Sequence, residues 1–170
     1  IAVCLAGALA AGGAGAINQY ADREVDALMA RTRRRPLTVG TIAPNTALSL
    51  GIGFNLAAFA ILIFLVNFLS AMLVLAGSLF YIFVYTLWLK KVTPENIVIG
   101  GAAGAVAPLV GWTAVTGSVD WPAVYMFGIV FLWTPPHFWA LALLLKQDYA
   151  KANIPMLPVV VGVAKTNQRI

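Results

Sequence analysis

The sequence predicts an all-α bundle of helices that cross a membrane, and three observations carry that prediction. Of 170 residues, 61% are hydrophobic and only 10% charged, with a mean hydropathy of +0.89; soluble domains carry roughly 25% charge. The apolar residues come in runs of about 20, the length an α-helix needs to span a hydrocarbon core of about 30 Å. All eleven lysines and arginines fall between alternate runs, so they share one side. A water-soluble fold is excluded on composition. The net charge of +5 reports topology and not nucleic-acid binding.

Five spans account for the runs: Ile1–Ile17, Thr41–Val66, Phe68–Leu89, Asn96–Val115 and Trp121–Leu145. Asn67 marks a tight turn between the second and third. Thr93-Pro94 precedes the fourth, and Gly117-Ser118 separates it from the fifth. Arg23, Arg31, Arg33, Arg34 and Arg35 follow span one, Lys90 and Lys91 follow span three, and Lys146, Lys151, Lys165 and Arg169 follow span five. The opposite turns have no cation, so the positive-inside rule puts the basic face on the cytoplasmic side, or the matrix side of a mitochondrion. The chain opens within an apolar run and ends in GVAKTNQRI. It therefore reads as an internal stretch, cut at both ends, of one membrane-embedded domain covering 1–170. Cys4, the only cysteine, can form no intrachain disulfide and is expected to pack in span one.

Span four contains Gly100 and Gly104 in a GxxxG, continued by Ala103 and Ala107; small residues let membrane helices approach closely, so tight packing is expected here. Pro135-Pro136 in span five removes two helical N–H donors and should break or bend that helix. Non-helical backbone at membrane depth is tolerated where it lines a cavity. His137, the only histidine, would then face one.

The chemistry-bearing segment is INQYADREVDALMARTRRRPL. Asn18, Asp22 and Asp26 recur every fourth residue, and on a helix steps of four advance about 40°, so three oxygen-bearing side chains form one stripe. Two carboxylates and an amide suit a hard cation such as Mg²⁺, which keeps positions open for water and phosphate. The neighbouring arginines present planar forks that match phosphate oxygens. The plain alternative is a solvated loop whose acids pair with Arg23 and Arg31, and such pairs contribute little. Ionisable groups at membrane depth are usually functional, which favours a metal–diphosphate site.

A second segment, LWTPPHFWALALLLKQDYAKANIPMLPVVVG, places Lys146, Asp148 and Tyr149 at the same membrane face. Asp148 either joins the first acidic motif or pairs with Lys151 at a helix end. Trp133, Phe138 and Trp139 are ordinary for a core or an interfacial belt.

NQYADREVDALMARTRRRPL resembles the N-x-x-x-D-x-x-x-D signature of the UbiA superfamily of intramembrane prenyltransferases. The M-x-R-T-x-x-R-P-L extension, with W-x-x-P-H-F-W-x-L and D-Y-x-x-A-x-I-P-M-L-P-V-V further on, is similar to the branch that farnesylates haem. The resemblance covers essentially the whole chain and would make it the second through sixth of nine helices. It implies that Asn18, Asp22 and Asp26 hold Mg²⁺ against farnesyl diphosphate. Arg31, with Arg34 or Arg35 and Lys146, would neutralise the diphosphate, and Asp148 would complete the catalytic acids. Haem B would be the acceptor, alkylated at a vinyl group to give haem O. Contacts to it are expected from His137, Trp133, Phe138 and Tyr149. Ala152 stands where other branches have a second D-x-x-x-D acid, so a second carboxylate-bound Mg²⁺ is not implied. The resemblance also implies a bacterial or mitochondrial inner membrane, and haem A synthase or oxidase assembly factors as partners. Two other readings use the same residues: a family member with a quinone-precursor or chlorophyllide acceptor, and a cation-coupled transporter. Transporter sites lie near the bilayer midplane, unlike these motifs at the basic face.

Overall fold

The computed structural model describes residues 1–170 and is helical throughout. Five long helices have the length and hydropathy to cross a membrane: α1 (Ala2–Leu28), α2 (Pro44–Leu65), α3 (Phe68–Val92), α4 (Asn96–Thr116) and α5 (Trp121–Leu144). Three short ones follow: α6 (Lys146–Lys151), α7 (Leu157–Val160) and α8 (Gly162–Asn167). The five expected spans are present. The boundary that changes the chemistry is the first: α1 runs eleven residues beyond Ile17, so the polar ladder is part of a membrane-length helix.

The helices pack in chain order, with α1 against α2 and α3, and α4 against α3 and α5. Helices α1 and α2 approach closely at two glycines. A Cβ on Gly13 would lie 2.7 Å from the Gly51 carbonyl oxygen, and one on Gly51 would lie 2.9 Å from the Gly13 oxygen. Asn67 forms the expected turn between α2 and α3. Its side-chain oxygen accepts from the Ser70 N–H (2.8 Å), which caps α3, and its amide donates to the Thr113 carbonyl of α4 (2.8 Å). The Ser70 and Thr113 hydroxyls, both fully buried, meet at 2.9 Å. At a membrane boundary these bonds satisfy groups that lipid cannot.

Several expectations change. Residues Phe80–Leu89 of α3 wind as a π-helix, a rare geometry that often occurs at functional sites. Helix α5 is continuous through Pro135-Pro136, so the expected break is absent. Two adjacent prolines remove donors from a single turn only, so the helix does not end there. In span four the packing glycines are Gly100, against the Tyr85 ring, and Gly101, against Thr134. Gly104 has nothing within 4 Å of a built Cβ. It lines a cavity together with Ala103 and Ala107, so the expected close packing holds at Gly100 and gives way to open space along the rest of the stripe. Cys4 is exposed on the outer surface of α1 and not packed inside.

Candidate active site

The polar stripe continues the cavity wall along α1. Gly7, Ala11, Ala14 and Gly15 of α1 line a cavity of about 750 Å³ together with Tyr81 and Tyr85 of α3, small residues of α4, and Trp133, Thr134 and Phe138 of α5. That volume lies within the 300–1,000 Å³ typical of small-molecule sites. Following the same face of α1, one further turn reaches Asn18 and the next two reach Asp22 and Asp26. The mostly apolar chamber and the polar rungs therefore lie in succession along one face of α1.

The ladder faces inward. Asn18, Asp22 and Asp26 are 9%, 1% and 4% exposed. The Asn18 amide donates to Asp22 Oδ2 (3.2 Å) and to the Thr86 hydroxyl (3.0 Å) on the π-helical stretch. Lys90, one π turn further along α3, pairs with Asp22 Oδ2. Arg35 pairs with Asp26 Oδ2 at 2.6 Å. Asp22 Oδ1 is buried with no hydrogen-bond partner, an acceptor directed at neither cation. Arg23 is engaged elsewhere, by the Tyr20 carbonyl, the Tyr20 ring and Glu24. Of the pairs of Asp22, Glu24 and Asp26 with Arg23 and Arg31 considered from sequence, only Arg23–Glu24 forms; Asp22 and Asp26 take other partners.

The arginine loop is shaped by its few apolar and hydroxyl residues. The buried Thr32 hydroxyl donates to the Asp26 carbonyl (2.9 Å), closing the end of α1. Met29 and Leu37 are also buried and anchor the loop, which turns Arg31, Arg33 and Arg34 outward. Arg31, Arg34 and Lys146 form no ion pair.

The two motifs meet. The Arg31 backbone N–H donates to Asp148 Oδ2 at 3.3 Å, across 117 residues, so Asp148 is tied to the arginine loop and not to Lys151. Met29, Ile97, Ala142, Ala152, Ile154 and Met156 form one core beneath them, with Tyr149 packed against it. Burial raises the Tyr149 phenol above its ordinary pKa; the Arg31 guanidinium opposes the shift and Asp148 adds to it.

His137 does not line the cavity. It is half-buried and stacks on Trp133, with ring centroids 4.1 Å apart and planes 18° apart, and its edge meets Phe138. Trp133 and Phe138 are the residues that present aromatic surface to the chamber. Sequence reasoning used Lys90 for topology only and passed over Thr86. Their distance along α3 from the basic face was readable, but their direction was not, because a π-helix changes the angular step per residue.

The sequence profile of the UbiA prenyltransferase family matches residues 1–169. The chain belongs to the UbiA prenyltransferase family. This UbiA-family chain is 58% identical over 163 residues to the protoheme IX farnesyltransferase of Symbiobacterium thermophilum, covering 96% of the chain and 54% of that protein. It is 52% identical to the enzyme of that name from Gloeobacter violaceus (98% and 54% covered) and 54% identical to that of Frankia casuarinae (100% and 59%). The chain thus spans about half the length of the curated relatives it matches. No solved structure matches it. Five membrane-length apolar helices and the family together make it an integral membrane protein.

Proposed function

We propose that this chain carries the diphosphate-binding site of an enzyme that transfers a farnesyl group from farnesyl diphosphate to a vinyl group of haem B, giving haem O. The observation that carries the reading is the inward ladder. Two carboxylates and an amide are buried on the face of α1 that continues the chamber wall, paired with Lys90 and Arg35, and Asp148 accepts from the arginine loop.

The donor set fits a hard divalent cation. Asp22 Oδ1 is a buried acceptor without a donor, and carboxylate and amide oxygens are the ligands Mg²⁺ prefers. Asn18, Asp22 and Asp26 would hold it, and when bound it supplies Lewis-acid stabilisation of the leaving diphosphate. Arg31, Arg34, Arg35 and Lys146 add positive charge around the same oxygens. In the reaction the C1–O bond of farnesyl diphosphate breaks and its electron pair leaves with pyrophosphate. The vinyl group attacks C1, and water captures the resulting cation and loses a proton, leaving a hydroxyethylfarnesyl substituent. Stabilising negative charge on the leaving group is the main electrostatic demand of such an ionisation. The apolar chamber keeps water from the allylic cation until carbon has attacked.

Trp133 and Phe138 are proposed to receive the planar acceptor, with His137 held behind them by its stack and Tyr149 at the basic rim. The basic face is proposed to lie toward the cytoplasm or matrix of a bacterial or mitochondrial inner membrane, with haem A synthase or oxidase assembly factors receiving the product. The test supplies the protein with farnesyl diphosphate and either haem B or 4-hydroxybenzoate and reads product masses. A farnesylated, hydrated haem is expected. Prenylation of the phenol alone would reassign the acceptor, and no pyrophosphate release with either would remove the transferase reading.

A further inference from the structure

Each acid of the ladder is neutralised from within the chain. Lys90 on α3 holds Asp22, and Arg35 on the loop after α1 holds Asp26. The two cations come from different elements, and neither lies on α1, so either can move while the ladder keeps its helical geometry. A divalent ion approaching the two carboxylates meets two like charges already bonded to them. Releasing those cations without a new partner leaves positive charge in a site largely closed to water; the Lys90 side chain is only 17% exposed, and an unpaired charge there is strongly unfavourable. An anion that accepts both removes that penalty, and a diphosphate has the oxygens to do so.

We propose that Lys90 and Arg35 are exchangeable counter-ions: they hold Asp22 and Asp26 in the unloaded chain and pass to the substrate diphosphate as a divalent cation takes the carboxylates. The inference rests on the ladder being a metal–diphosphate site, as proposed above. Its consequence is that cation and diphosphate load together and each binds weakly alone, because either one by itself strands a charge. Binding free energies couple reciprocally, so the same factor describes both ligands. Lys90 thus neutralises Asp22 before loading and contacts the diphosphate after it.

The test measures Mn²⁺ binding by electron paramagnetic resonance to the protein in nanodiscs, with and without inorganic pyrophosphate, at fixed free Mn²⁺. Pyrophosphate is expected to tighten Mn²⁺ binding by about 5–150-fold, the usual span of coupling between sites. In Lys90→Met and, separately, Arg35→Gln, Mn²⁺ alone should bind about tenfold tighter than in the wild type, with the coupling reduced to match. Lys90→Arg should restore wild-type behaviour. Simple bridging by the metal would leave the pyrophosphate coupling at its wild-type size in both variants, even if loss of a nearby positive charge tightens Mn²⁺ alone, and that result overturns the exchange. Arg35 is partly exposed, so its variant keeps the test decisive if Lys90→Met does not fold. Mn²⁺ binding that survives Asp22→Asn with Asp26→Asn would instead overturn the ladder site itself.

Discussion

At the scale of single residues, the two acids of α1 share a proposed role but not a setting. Asp22 is almost fully buried against a Lys90 that has little access to water, whereas Arg35, the partner of Asp26, is 30% exposed. Either Asp→Asn change should lower pyrophosphate release by about 10²–10³-fold, the cost of removing one group that stabilises developing charge. Stability should separate them. Asp22→Asn leaves a buried ammonium unpaired, a loss that reaches about 3–5 kcal/mol for fully buried pairs. Asp26→Asn frees an arginine that can turn to solvent. Thermal denaturation in detergent should therefore show the lower midpoint for Asp22→Asn; the reverse order would contradict the burial described. Tyr149 supplies a pH signature. Its folded pKa is raised, chiefly by burial, so the folded state keeps the phenol proton after the unfolded chain has lost it. That contribution is intact below the ordinary value of 10.0 and declines as pH rises through the folded value. Tyr149→Phe should flatten the alkaline fall in stability, measured as the denaturation midpoint from pH 9 to pH 11.

At the scale of elements, the α1–α2 crossing sets where the ladder sits. A methyl group at Gly13 meets a backbone oxygen at 2.7 Å and Phe54 Cβ at 3.1 Å, neither of them the movable end of a flexible side chain. Gly13→Ala gains about 1 kcal/mol in helix propensity but loses about 1–3 kcal/mol to overpacking. The loss should win. Gly12 has open space, so Gly12→Ala should be neutral or stabilising by up to about 1 kcal/mol. Comparing the two melting midpoints checks the crossing, and equal effects would argue against it. Helix α3 contributes differently, since its π-helical stretch turns Thr86 toward Asn18 and leads into Lys90. Thr86→Val removes one buried hydrogen bond and should cost about 1 kcal/mol, with a larger effect on Mn²⁺ affinity in the presence of pyrophosphate than on melting.

At the scale of the whole molecule, the basic face predicts sidedness. In a Cys4→Ser background, Gly117→Cys should react with an impermeant maleimide in intact cells, and Lys91→Cys only after permeabilisation; the opposite pattern would invert the topology. The span count, the basic face and the four-residue ladder were legible in the sequence because each depends on length, charge or helical period, which are local properties. The reach of α1 past Ile17 was legible in the ladder spacing, though hydropathy alone stops short of it. The partners were not legible. Whether Asp26 would choose Arg31 or Arg35, or Asp148 the arginine loop or Lys151, depends on side-chain directions set by helices far apart in sequence. The GxxxG stripe looked like a packing seam because small residues suit both close contact and open space, and only a neighbour's position distinguishes them. Local chemistry in the chain thus determined what the site is made of. The tertiary structure alone decided which cation neutralises which acid, that the stripe becomes a chamber wall, and that His137 stands behind Trp133, because each of these is a contact between segments whose relative placement no local periodicity encodes.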